Sequence, residues 1–162
     1  MSNSLKKLLT EFKYLEQNSI NVKKGSIFLA YPGESNDGRK YIGEAIKKGA
    51  GAIIYDPLDF KSYFELGLAY LALGRHEEEV RAYKEALRLN PKYAKAHYNL
   101  SMAYDYMKEG AKAIYHMQKA LDLYATKRNH RKIRTTQRQL KRFYMSYPNE
   151  AGSSVSEKTR EP

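Results

Sequence analysis

From Asp59 to about Tyr144 the large apolar residues recur at intervals of three and four, the spacing that stacks side chains on one face of an α-helix. The pattern breaks only at Gly74–Arg75, Asn90–Pro91, Glu109–Gly110 and near Lys127, which predicts five consecutive helices. Asp59, just after Pro57, is placed to cap the first of them, and Asn90 followed by Pro91 to stop the second. Upstream the pattern is shorter. An apolar run from Ser26 to Ala30, a turn of Gly, Asn and Asp, a helical stretch from Arg39 to Lys48 and a second run from Ala52 to Tyr55 predict a small β-α-β unit. A leading helix with Leu5, Leu8, Leu9, Phe12 and Leu15 on one face precedes it. From Ser146 onward Ser, Glu, Pro and Lys dominate and almost no large apolar side chain remains, so this tail is predicted to be disordered. The expected fold is therefore mainly α, with a division into 1–57, 58–145 and a disordered 146–162.

The helical region matches itself at a shift of 34 residues, a period at which a helix-turn-helix unit repeats. Residues 60–93 align with 94–127 through identities such as Leu66/Leu100, Ala69/Ala103, Tyr70/Tyr104, Ala86/Ala120 and Leu89/Leu123. Conservative pairs include Phe64/Tyr98, Leu68/Met102 and Val80/Ile114. These positions lie on the stripes that must pack one helix against the next, which is why few identities suffice.

Tyr63, Leu66, Gly67, Tyr70, Gly74, Tyr83, Ala86 and Pro91, followed by Leu100, Tyr104, Ala113 and Ala120, make residues 59–126 resemble the tetratricopeptide repeat, or TPR. The resemblance implies two TPR helical hairpins plus a long C-terminal capping helix, and a protein-protein interaction adaptor or scaffold rather than an enzyme. It departs from the pattern at Glu79, where the family has a small residue, at Ser101 in place of glycine, and at Ala125 in place of the closing proline. Glu79 predicts a looser first hairpin, and Ala125 a last helix that runs on. The first helix of each hairpin lines the concave face of a TPR array, so the resemblance places Phe64, Leu68, Leu71, Tyr98, Asn99, Met102, Asp105 and Tyr106 in a peptide-binding groove. Asn99 stands where family members hold the backbone of an extended peptide, a role that suits an amide because it donates and accepts. Of the set with which chaperone-binding members clamp a terminal carboxylate only Lys95 and Asn99 are present, which points to an apolar or amphipathic peptide or helix as partner.

Residues 18–57 resemble the N-terminal uridine-nucleotide domain of the Mur ligases that add the third amino acid of the peptidoglycan stem. The likeness runs through Asn18 to Ile42 and again from Ala45 to Pro57. It implies nucleotide contacts at Ser19, Glu34, Ser35 and Asn36, although Ile20 stands where the family has an arginine. A relic of such a domain would link the chain to cell-wall precursor synthesis. Ligation needs an ATP site, and the chain has no glycine-rich loop ending in Lys-Ser or Lys-Thr to cradle phosphates. Neither ATP binding nor any cofactor is expected.

Composition narrows the picture further. The absence of cysteine excludes disulfides, thiolate catalysis and cysteine-ligated metal. His76, His97, His116 and His130 lack the spacing that puts two on one helical face, so no metal site and no catalytic set are expected. Glu77, Glu78 and Glu79 fall at a helix start, where acidic side chains are favoured by the dipole. No apolar run is long enough to cross a bilayer and Met1–Glu11 lacks a secretory signal pattern, so a cytoplasmic protein is expected, with homo-oligomerisation open.

The net charge of +11 is uneven: residues 127–162 alone hold 10 basic and 3 acidic side chains. On the fifth helix Ile133, Thr136, Gln137, Leu140, Phe143 and Tyr144 share one arc. Arg131, Arg134, Arg138, Lys141 and Arg142 share the opposite one. The apolar arc predicts a cap; the basic arc is the candidate site for an anionic partner or RNA.

Overall fold

The computed structural model describes residues 15–16, 21–30 and 37–150. It divides into two compact units, Met1–Arg75 and His76–Pro162. The division falls after Arg75 rather than after residue 57, because the first long helix packs onto the α/β segment.

In the first unit three short strands, β1 (Leu15–Glu16), β2 (Ile27–Leu29) and β3 (Ala52–Ile54), form a parallel sheet in the order β1-β2-β3. Leu15 pairs with Ile27, and Ile27 with Ala52. Leu15 is thus a strand residue and not part of a leading helix. Leu5, Leu8, Leu9 and Phe12 lie outside the described residues. Parallel neighbours require a crossover, and here it is helix α1 (Ile42–Lys47), entered through a 3-10 turn at Gly38–Tyr41. The Asp37 carboxylate accepts from the Arg39 amide and starts that tighter turn, so the predicted Arg39–Lys48 helix is split in two.

Helix α2 (Phe60–Ala72) begins where the sequence placed its cap: the Asp59 side chain accepts from the amides of Lys61 and Ser62. Its Ala69 is buried with Val22, Phe28, Ala30, Ile42 and Ala45, and Leu66 packs against the same cluster. Gly43 on α1 faces Ala69 of α2: a Cβ added there would stand 3.6 Å from Cβ of Ala69, an ordinary packing contact. A buried guanidinium holds this joint. Arg39 forks onto Asp37 through Nε and Nη2 and donates from Nη1 to Asp59 Oδ2, each at 2.7 Å. The Asp37 bonds hold the Arg39 charge well above its usual range, while both aspartates are lowered, Asp37 by its bonds to Arg39 and Asp59 by Arg39 and Ser62 against burial.

The second unit is all helical: α3 (His76–Leu89), α4 (Ala94–Tyr106), α5 (Gly110–Thr126) and α6 (His130–Ser146). Tyr83, Leu100, Ile114, Met117 and Phe143 are fully buried in it. Of the residues matched at the 34-residue shift, Ala86 and Ala120 are buried in both copies, while Leu89 and Leu123 are half-buried in both. Helix α5 outlasts its counterpart α3 by three residues, as expected where Ala125 replaces proline.

Three helices end in the same way. After α2, Arg75 N–H donates to the Tyr70 carbonyl and Gly74 N–H to that of Leu71, with Gly74 at φ +68°. After α4, Glu109 and Lys108 make the equivalent bonds to Tyr104 and Asp105. After α5, Asn129 and Arg128 make them to Tyr124 and Ala125. This six-to-one closure places its penultimate residue in the left-handed region, which Gly74 tolerates and Lys108 (φ +62°) and Arg128 (φ +51°) occupy at a cost. Both side chains are exposed and make no ion pair among the described residues. Lys108→Gly and Arg128→Gly are each expected to stabilise the second unit by about 1 kcal/mol, read as a rise in the thermal midpoint. In the first unit Arg39→Ala is expected to cost about 3 kcal/mol, because it leaves two shielded carboxylates without their cation. An unchanged urea midpoint would show that the fork is ornamental.

Candidate functional site

The groove residues expected from sequence fall in both units. On α2, Phe64 is buried, Leu68 lines a shallow open cavity of about 330 Å³ with Lys40, Gly43, Glu44 and Glu65, and Leu71 is 45% exposed. On α4, Tyr98, Asn99, Met102, Asp105 and Tyr106 follow at helical spacing and none is fully buried. Their side chains do different things. Tyr98 packs on Ala94, Ala120 and Tyr124 and so belongs partly to the core. Asn99 donates from Nδ2 to the Tyr83 hydroxyl at 3.3 Å, which fixes the amide, and its Oδ1 has no protein partner among the described residues. Tyr106 is 67% exposed and lies over the His76 ring with centroids 3.8 Å apart.

Asp105 is committed elsewhere. Arg142 Nη2 donates to its Oδ2 at 2.7 Å, and the Tyr147 hydroxyl donates to its Oδ1 at 2.9 Å. Burial, with the bond to Asp105, pushes the Tyr147 phenol up. Two regions that the sequence kept apart, the groove and the basic helix, therefore meet at an ion pair 37 residues apart in the chain. Tyr147 also lies across Gly110, where a Cβ would strike its ring. Residues 146–150, which the composition assigns to the tail, are placed by these contacts.

Helix α6 buries Thr136, Leu140 and Phe143, with Ile133 packed beside Tyr124 and Gln139 half-buried near Met102. Gln137 and Tyr144, expected on that arc, are exposed. The buried arc is rotated toward α4, because Arg142 and Tyr147 anchor the helix on Asp105. Arg131, Arg134, Arg138 and Lys141 are exposed and form no ion pair among the described residues.

Glu79 and a pair of histidines sit inside this unit with partners that the sequence did not indicate. Glu79, at the position of a small residue in the resemblance, is 1% exposed and accepts from His76 Nδ1 at 2.9 Å; burial raises its pKa. Two of the four histidines meet: His97 and His116 approach Nδ1 to Nδ1 at 3.0 Å, and His97 Nε2 faces the Pro91 carbonyl at 3.0 Å. One pair of neutral tautomers satisfies both bonds, with His97 donating from Nε2 to Pro91 and accepting at Nδ1 from His116. Burial lowers both, His116 down to about 3 with help from the neighbouring His97. Their separation of 19 residues is neither a helical spacing nor the repeat period, so only the α4–α5 hairpin brings them together. No cluster of three or more metal-binding side chains occurs among the described residues. Ser19, Glu34, Ser35 and Asn36 lie outside the described residues.

Residues 67–105 match the family model described as TPR repeat. A UDP-N-acetylmuramoyl-L-alanyl-D-glutamate–2,6-diaminopimelate ligase of Janthinobacterium sp. is 39% identical over 71 residues, 42% of this chain and 14% of the ligase. A tetratricopeptide repeat and J domain-containing co-chaperone of Cryptococcus neoformans is 33% identical over 67 residues, 41% of this chain and 13% of that protein. The chain thus spans only about a seventh of the length of these curated relatives. A crystal structure of MamA covers 80% of this chain and 73% of its own at 23% identity and a TM-score of 0.45. No described helix is long and apolar enough to cross a membrane.

The buried histidine pair makes stability depend on pH with a definite sign. Its folded pKa values lie below the unfolded value near 6.5, so the unfolded chain takes up more protons as pH falls and the native state loses stability below about 6.5. Glu79, shifted upward, acts in the opposite sense at lower pH. The expected result is a fall in the thermal midpoint between about pH 6.5 and 5 that His116→Phe largely removes, followed by circular dichroism.

Proposed function

We propose that this chain, which carries tetratricopeptide repeats beside a segment similar to Mur ligases, is an interaction adaptor whose α4 face holds an apolar or amphipathic peptide or helix. The observation that carries this reading is the state of Asn99. Tyr83 holds its amide from one side, its Oδ1 has no protein partner among the described residues, and half-buried Tyr98 and Met102 lie beside it. A carbonyl so placed accepts from a peptide N–H, while the flanking side chains offer apolar area. Tyr106 extends the stripe by two helical turns from Asn99 and is the most accessible anchor on it. Asp105, neutralised by Arg142, gives this face no free anion, so a partner needs no matching cation there.

Binding, not catalysis, is the proposed activity: the polar groups brought together here are a fixed amide, an ion pair and a neutral imidazole pair. A second reading rests on the 39% identity to the ligase, and takes the N-terminal segment as a uridine-nucleotide site. Titration with a UDP-sugar, heat release being the readout, separates it from the adaptor reading.

Peptides selected by display against the full-length chain should be rich in large apolar side chains. Asn99→Ala with Tyr106→Ala should weaken them by about thirtyfold or more, since an anchor typically carries about 2 kcal/mol, while helical circular dichroism is retained. Tyr98 is left in place because its packing on Ala120 and Tyr124 makes it a stability residue as well. Undiminished binding by the double variant would remove the α4 face from consideration.

A further inference from the structure

We infer that the outer face of α6 is a docking surface for a nucleic-acid backbone, separate from the α4 face. The helix carries Arg131, Lys132, Arg134, Arg138, Lys141 and Arg142 and no acidic residue. Arg142 is taken by Asp105; Arg131, Arg134, Arg138 and Lys141 stand on the side opposite the buried Thr136, Leu140 and Phe143. Along the axis they are separated by rises of about 4.5 to 6 Å, and the stripe is about 15 Å long. It is a row of exposed cations at roughly even steps.

Three other helices carry charges of opposite sign one turn apart, Glu44 with Lys48, Glu85 with Arg88 and Glu109 with Lys112. Helix α3 begins with Glu77, Glu78 and Glu79, as the positive end of a helix dipole favours. Helix α6 does the reverse, with Arg131 and Lys132 in its first turn and no acidic residue there. Like charges one turn apart, such as Arg134 and Arg138, and cations at a helix start both oppose helix formation. A solvating cap needs polarity on its outer face but not a single sign.

What meets such a stripe is a regular row of anions. Three of the four groups are guanidiniums, whose planar fork matches phosphate oxygens. An interfacial membrane helix would present apolar side chains outward, whereas here the apolar arc of α6 is buried within its unit. The backbone of a nucleic acid supplies phosphates at even steps and so is the occupant the geometry favours.

The test uses the full-length chain and a labelled oligonucleotide, duplex and single-stranded, over a range of salt. For a duplex the affinity should fall with salt at a logarithmic slope between about −3 and −4, four contacts at about 0.9 each, and somewhat less steeply for a single strand. The triple variant R131E/R134E/R138E should lose at least about a hundredfold in affinity with an unchanged melting temperature. The neutral pair R134Q/R138Q guards against misfolding and should flatten the slope by about 2. Asp105→Asn, which frees Arg142, should steepen it by about 1. A flat salt dependence, unchanged binding by both stripe variants, or binding to phosphatidylserine vesicles or poly-glutamate in preference to nucleic acid would overturn the assignment.

Discussion

A repeat helix cannot stand at the end of a row, and that constraint shapes both units. Each helix of such an array is apolar on more than one flank, so it must be covered on both sides or leave hydrocarbon in water. In the first unit the cover is α1 and the sheet beneath it: Ala69 and Leu66 of α2 complete a core otherwise made of strand and crossover residues. In the second it is α6, whose Thr136, Leu140 and Phe143 are buried while Arg131, Arg134, Arg138 and Lys141 face outward. Without these covers the small apolar residues of the repeat would have nothing to close against.

The covers are fixed by charge as well as by packing. Asp59 caps α2 and also receives Arg39, so the start of the long helix and the entry to the crossover are positioned by one carboxylate. Asp105 does the corresponding work in the second unit, taking Arg142 and Tyr147 from the far end of α6. Each is a carboxylate saturated by donors brought from elsewhere in the chain, which is the condition under which shielding an ion is tolerated. With Asp105 neutralised, the α4 face is left apolar around a fixed amide, and the cations not used in holding α6 are the ones left outward.

Much of this was legible in the order of residues. Helical spacing from Asp59 to Tyr144 marked the helices, the Asp59 cap and the breaks at Gly74 and Asn90, and the 34-residue shift marked the alanines buried in both copies, Ala69 with Ala103 and Ala86 with Ala120. Those features are local, or repeat at a fixed offset, and periodic burial writes them directly into the sequence. The strand-helix-strand character of residues 26–55 was legible for the same reason.

Contacts between elements were not. The pairing of His97 with His116 and the capture of Arg142 by Asp105 join residues whose separations follow no local rule. The arc of α6 is a clear case: the sequence centred it to include Gln137 and Tyr144, and the anchor on Asp105 turned it to bury beside Gln139 instead. Leu15 fits a helical face by spacing, yet is paired in a strand with Ile27. By itself the sequence determined which residues form helices and which flank of each is apolar, because those depend on neighbours three and four positions away. Tertiary structure alone decided which polar groups are satisfied by partners and which stay open to bind, because that depends on where distant helices come to rest.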